Sequence, residues 1–239
     1  MKQVIIQNIG VGALVIEALD RRILVDAFNN LISPVEVLSG DIIVFTHDDG
    51  DHFSADKLPE VKGKNITIVG PPSIVVPILK QEKAELEQIE ILYTNQYDKP
   101  ASLSLDTINI VCYHTNHFNH WDPIHNSYLI EMLGKRFYIT GDSELTKEQA
   151  EVLGETDAVI CNLVEEGFLN GREEANVAIH HILSTLLKVK SQGITKKVIG
   201  VHLLDFDWSV DASEMKKLVE DYGFSNIIIP VSTKQKIMI

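Results

Sequence analysis

Apolar residues recur in short blocks along the first half of the chain, with the length and bounds that strands have. Val, Ile, Leu and Ala crowd positions 4–7, 13–18, 23–26, 42–46 and 66–69, set off mostly by Gly, Asp, Asn or Ser, and this predicts strands. Positions 73–80 read as a short helix and 90–93 as a strand. A hairpin-like pair follows at 101–105 and 107–113, and then strands at 127–133 and 136–140 joined by a tight turn across Leu133-Gly134-Lys135. Beyond this point the spacing changes. Helical periodicity at 146–153, 173–191 and 212–222 alternates with buried-strand runs at 158–162, 197–201 and 227–231, and Ala178, Ile182, Leu186 and Val189 share one face of the longest helix. Such a string fits two sheets packed face to face with helices outside them. No repeat or Pro/Ser-rich linker divides it, so 1–239 is expected to form a single domain.

Composition narrows the partners. Hydrophobic residues make up 45% of the chain and charged residues 23%, and Lys plus Arg number 21 against 34 Asp plus Glu, a formal charge of −13. An acidic surface repels phosphate backbones at long range, which argues against a nucleic-acid binder. It leaves room for a small anionic substrate, because a metal site supplies its own positive charge. No apolar run approaches the ~20 residues of a membrane span. The opening residues lack a secretory signal's apolar core, so a cytoplasmic protein with no membrane partner is expected. Cys112 and Cys161 end apolar runs and read as buried small hydrophobes rather than a disulfide or metal pair.

The chemistry concentrates in Phe45-Thr46-His47-Asp48-Asp49-Gly50-Asp51-His52-Phe53, a loop that follows the apolar run Ile42-Ile43-Val44-Phe45. His47, Asp49, Asp51 and His52 fall within six positions. A tight loop can turn His47 and Asp49 toward one point and Asp51 and His52 toward a second beside it. Carboxylates this close repel one another unless a cation holds them. A solvated acidic turn capping the next helix would explain the Asp and Gly residues, but not two histidines framing them.

The loop resembles the metal-binding loop of the metallo-β-lactamase superfamily, which usually reads His-x-His-x-Asp-His. Further pieces occur in the family's order. Ile23-Leu24-Val25-Asp26 resembles an early strand ending in a buried Asp that supports the metal loop. Gly141-Asp142 resembles the Gly-Asp whose carboxylate bridges two metals, and Val201-His202-Leu203 resembles the last ligand. The wording from Gly134 to Asp142 is most similar to a small branch that includes L-ascorbate-6-phosphate lactonase. The resemblance implies an α/β (α+β) four-layer αββα sandwich and two divalent metal ions. Zinc is expected first, with manganese or iron admitted because Asp49, a harder ligand, stands where the family has a second His.

The resemblance implies metal ligation by His47, Asp49 and either His114 or His120 at one site, by Asp51, His52 and His202 at the other, and by Asp142 at both. His114 and His120 rank equally, with His117 behind them and His125 last. The histidines that do not ligate are expected to line the cleft or to hydrogen-bond the ligands. His180 and His181, adjacent on a helix, cannot easily serve one site. Asp205, Asp207, Trp208 and Glu144 read as rim or helix-start residues. The implied activity is hydrolysis of an ester, lactone or phosphoester of a small anionic metabolite by a hydroxide held between the metals, with Asp51 orienting the nucleophile and carrying a proton. Two alternatives stay open: a phosphodiesterase or nuclease on the same fold, for which Lys135 and Arg136 are the only cations near the motifs, and a non-hydrolytic diiron redox or metal-dependent binding protein. Members of the superfamily are often dimers or larger, which leaves a homo-oligomer open.

Overall fold

Three strands explain the longest apolar runs. β3 (Arg21–Val25), β4 (Ile42–Val44) and β5 (Thr67–Gly70) pair in parallel and are buried on both faces, which requires apolar residues at successive rather than alternate positions. In the computed structural model, residues 3–117, 124–143, 153–162, 195–201, 216–217, 220–221, 228–230 and 234–239 are described. Around the parallel trio lie β1 (Ile5–Gly10), β2 (Ala13–Ala18), β6 (Ile89–Ile91) and β14 (Lys236–Met238), in the order β14-β1-β2-β3-β4-β5-β6. The second sheet runs β13 (Ile228–Pro230), β12 (Thr195–Val201), β11 (Thr156–Asn162), β10 (Lys135–Ile139), β9 (Asn126–Met132), β8 (Ile108–His114) and β7 (Ala101–Leu105).

The inner faces of the sheets form one apolar layer. Leu14, Ile16, Ile23, Val25 and Val44 meet Ile110, Tyr128, Ile130, Phe137 and Ile160, residues spaced by two along their strands as the pleat demands. The outer face of the first sheet, with Leu24, Ile43, Phe45 and Ile68, packs against Ile74 and Ile78 of α1 (Pro72–Lys80) and against Phe28, Leu58 and Val61. Two ties cross between the sheets where the motifs lie. The Tyr128 hydroxyl is 3.1 Å from the Phe45 carbonyl, and the Asn126 N–H donates to the Thr46 carbonyl at 3.3 Å.

The expected strands are present, with shifted ends, and the last strand is an addition: the pattern Lys236-Ile237-Met238 presents a single inward apolar side chain. Both cysteines are buried and free. The expected helix at 173–191 lies outside the described residues. Of the helices at 146–153 and 212–222, only Leu153, Lys216, Lys217, Glu220 and Asp221 are described, all helical. Among the described residues no helix is long and apolar enough to cross a membrane.

Candidate metal centre

β3, β4, β8 and β10 all point their C-terminal ends the same way, and the chemistry-bearing turns hang from those ends. The organising group is Asp26, which follows β3 and is 1% exposed, with φ at 49°. Its Oδ1 accepts the Thr46 N–H at 2.8 Å, and its Oδ2 accepts the Thr46 hydroxyl at 2.6 Å and His52 Nδ1–H at 2.8 Å. A carboxylate only accepts, so the single Thr46 hydroxyl hydrogen points at Asp26. Thr46 Oγ1 must then accept from His47 Nδ1, 2.9 Å away. The neutral His47 ring is thereby fixed with a bare lone pair on Nε2. That atom is buried and has no hydrogen-bond partner among the described residues, an arrangement that costs free energy unless a cation takes the lone pair.

Two sets of atoms could each hold an ion. His47, His117 and Asp142 form one, and Asp51, His52 and Asp142 the other, the ligand atoms of each within 4.8 Å of one another. Asp49 Oδ2 lies 3.2 Å from His117 Nε2 and 3.8 Å from His47 Nε2, so Asp49 sits with the first set. His52 Nε2 lies 3.1 Å from Asp142 Oδ1. Burial and the neighbouring carboxylates Asp51 and Asp142 push the Asp49 carboxyl above its ordinary range, with His117 opposing them. Imidazole lone pairs and crowded carboxylates together fit divalent cations.

Among the described residues, the third-motif histidine that joins His47 and Asp142 is His117, ranked behind His114 and His120. The physical reason is a backbone bridge between His117 and Ser143, which seats His117 beside Asp142. His114 is instead the last residue of β8, in register with Asn126, and its ring packs 4.6 Å from that of Tyr97; neither metal-capable set includes it. Loop spacing carried no sign of that bridge. His125 is fully buried behind the site, its ring 4.7 Å from that of His47. His120, Glu144, His180, His181, His202, Asp205, Asp207 and Trp208 lie outside the described residues, although β12, whose last residue Val201 precedes His202, runs parallel to β11 and β10 and so ends on the same side.

The histidines divide by charge. Burial and the neighbouring imidazoles of His52 and His125 hold His47 well below its usual pKa, and burial pushes His125 down to about 3. For His52 burial also works downward, but Asp142 on one nitrogen and Asp26 on the other outweigh it, and its pKa stands well above 6.5. A cation that takes Nε2 must displace that proton. A raised pKa keeps the proton on through neutral pH, so the affinity of metal-stripped protein should rise about tenfold per pH unit between about pH 6 and 7. Calorimetry in buffers of different ionisation heat should show a proton released as the ion binds; pH-independent affinity with no proton release would contradict the assignment.

Gly141 carries the turn from β10 to Asp142. Its φ is +59°, and a Cβ there would lie 2.9 Å from His125 Nε2 and 3.2 Å from Thr46 Cβ. Gly134, at φ +76°, has nothing within 4 Å of the same point. Gly134→Ala should therefore cost only the conformational penalty of about 1 kcal/mol, whereas Gly141→Ala should cost about 2–4 kcal/mol because His125 or the turn must move as well. Urea unfolding of the two variants compares them, and equal losses would contradict the contact.

The two cations expected near the motifs are elsewhere. Lys135 and Arg136 begin β10, roughly 15–20 Å of strand from its Asp142 end. Lys135 pairs with Asp157 at 3.1 Å and Arg136 with Glu131 at 2.9 Å.

A family model described as a beta-lactamase superfamily domain matches residues 21–203. No curated protein sequence matches the chain. Among solved structures, a metallo hydrolase of the hyperthermophilic archaeon Ignicoccus hospitalis is 18% identical, with a TM-score of 0.68 over 99% of this chain and 98% of its own. An isothiocyanate hydrolase from Delia radicum gut bacteria is 16% identical, with a TM-score of 0.65 over 99% of this chain and 98% of its own. A diiron β-hydroxylase from Streptomyces venezuelae is 12% identical, with a TM-score of 0.66 over 99% of this chain but 54% of its own. At such identities the likeness establishes a shared fold, the metallo-β-lactamase αββα sandwich.

Proposed function

The chain belongs to the beta-lactamase superfamily, and from that premise we propose that it is a metal-dependent hydrolase acting on an ester, lactone or phosphoester of a small anionic metabolite. The observation that carries the reading is the meeting at Asp142 of two metal-capable sets, with His47 and His117 on one side and Asp51 and His52 on the other. His47, Asp49 and His117 would hold one cation and Asp51, His52 and His202 the second, with Asp142 serving both. Bound there, the cations would supply a water that ionises near neutral pH and positive charge to meet the charge developing on the target oxygen.

The chain's own residues prepare that chemistry. Asp26 and Thr46 fix the ring orientations of His47 and His52 by engaging Nδ1 of each, so neither ring has to turn when an ion arrives. Asp51, only partly buried and grouped with His52 and Asp142, is placed for its carboxylate to orient a water and pass a proton toward the leaving group. Three ligand carboxylates and an ionised water would balance two dications, so an anionic substrate group would be held by coordination to the ions rather than by net charge. Zinc suits the imidazoles, while Asp49 admits manganese or iron. The likeness of the Gly134-to-Asp142 wording to the lactonase branch makes a phosphorylated sugar-acid lactone the first substrate to try.

Elemental analysis of protein purified without chelators, paired with a panel of lactones and phosphodiesters, tests the reading. The expected result is about two equivalents of metal per chain and turnover that a chelator removes. Metal-free protein, or turnover indifferent to chelation, would overturn it. Asp49 favours one rival, a diiron redox centre; iron absorption with reductant-dependent oxygen uptake would shift the reading there. A nuclease would need a basic groove, and the ion-paired Lys135 and Arg136 at the far end of β10 do not provide one.

A further inference from the structure

Behind the metal-capable sets lies a group of buried polar residues that none of the roles above uses: His125, Thr115, Ser127 and Ser143, each 2% exposed or less. Their hydrogen bonds can run in one direction only. The Asp142 N–H donates to His125 Nε2 at 3.0 Å, so that nitrogen is bare and the neutral ring carries its hydrogen on Nδ1. Nδ1–H then donates to Thr115 Oγ1 at 2.7 Å, leaving the Thr115 hydroxyl to donate to Ser127 Oγ at 3.0 Å. The Ser127 hydroxyl donates to the Thr140 carbonyl at 2.7 Å, as does Ser143 at 2.8 Å. The chain of bonds begins on Asp142 and ends on Thr140, closing a ring around the Thr140-Gly141-Asp142 turn. A doubly protonated His125 could not accept from Asp142, and the opposite tautomer would leave the Thr115 hydroxyl as the only donor at Nδ1, with two N–H hydrogens facing each other at Asp142.

We infer that His125 is a positioning residue, a locked imidazole that takes no metal but fixes, through the backbone of Asp142, where the shared carboxylate stands. The inference rests on the proposal that Asp142 serves two ions. Asp142 is the one residue common to both metal-capable sets among the described residues, and its backbone N–H, just after the Gly141 turn, is held by His125. Loss of His125 therefore weakens the second equivalent of metal more than the first, because one ion can be kept by a displaced carboxylate but two cannot be bridged by it.

Side-chain length separates this role from simple packing. In His125→Gln the amide oxygen reaches the place of Nε2 and can accept the Asp142 N–H; in His125→Asn the amide reaches only the place of Nδ1. Metal-stripped wild type, both variants and Thr115→Val are titrated with Co²⁺, following the d–d absorption and the stoichiometry. Wild type is expected to take two equivalents, and His125→Asn to lose the second by about 10- to 100-fold in affinity. His125→Gln should recover to within a few-fold of wild type, with Thr115→Val between them. Equal behaviour of the Gln and Asn variants, or a full second equivalent in His125→Asn, overturns the inference. Wild type that takes up no Co²⁺ instead overturns the underlying metal reading. Where His125→Asn does not fold, the Gln and Thr115→Val variants decide: a wild-type second equivalent in Thr115→Val, or a Gln variant that folds and loses it, counts against the role.

Discussion

Asp142→Ala should abolish metal-dependent turnover while leaving the two sheets folded. Asp142 is 7% exposed, at the end of β10, and contributes its carboxylate to both metal-capable sets. Its removal takes from each set the one carboxylate they share among the described residues. It also takes from His52 Nε2 the carboxylate 3.1 Å away, while Asp26 keeps its place on Nδ1. A loss of about 10³-fold or more in kcat is expected, equivalent to about 4 kcal/mol of barrier, and metal content should fall below one equivalent per chain. The far-ultraviolet spectrum should not change, because the apolar layer between the sheets is untouched. Asp142→Asn offers a control that keeps an oxygen ligand without the charge and should fall between the two. Wild-type turnover in Asp142→Ala would end the assignment of this site.

A larger combined effect is expected one layer back, at a residue that no ion would touch. Asp26 accepts three hydrogen bonds from two residues. In Asp26→Asn one oxygen becomes an NH₂ group, so a donor must face either Thr46 or His52. If it faces His52, the imidazole relieves the clash by moving its hydrogen from Nδ1 to Nε2, the nitrogen aimed at Asp142, and the lone pair needed for ligation is lost. The same NH₂, in the place of Oδ2, also faces the Thr46 hydroxyl, which must then turn toward His47, and the same exchange occurs in that ring; in the place of Oδ1 it meets the Thr46 N–H, which cannot turn, and the loop must shift. Either way the ligand sets are disturbed without losing a ligand. Metal affinity should drop about 100-fold, and stability by about 3 kcal/mol, the usual scale for breaking a buried charged pair. Zinc titration and urea unfolding read the two separately. Wild-type metal affinity in Asp26→Asn would show that the tautomers are set some other way.

Much of this was legible in the sequence wherever a residue's surroundings follow from its own neighbours. The parallel core strands announced themselves because burial on both faces demands unbroken apolar runs, and the His47-to-His52 loop because four ligand types in six positions have no cheaper explanation. Asp26 and Asp142 were found through the family's wording. What escaped depends on contacts between distant segments. The placing of His117 ahead of His114 turns on a single backbone bridge to Ser143, which sequence spacing does not encode, and His120, ranked level with His114, lies outside the described residues. β14 escaped because an edge strand with one inward side chain draws its stability from backbone pairing with β1, which any sequence can provide. Lys135 and Arg136 looked close to the motif because they are close in sequence, whereas an extended strand separates its residues by roughly 3.3 Å per position and puts them at its other end.

The two sheets meet along ties such as Asn126 to Thr46 and Tyr128 to Phe45, and the ligands are divided between them: His47, Asp49, Asp51 and His52 come from one leaf, His117 and Asp142 from the other. Neither leaf owns a complete binding set. A chain cut between β6 and β7 would yield two pieces that capture metal only as a pair, so ion uptake would obey second-order kinetics. Each bound ion would then act as a rivet, turning a shared site into a measure of how firmly the two halves hold together.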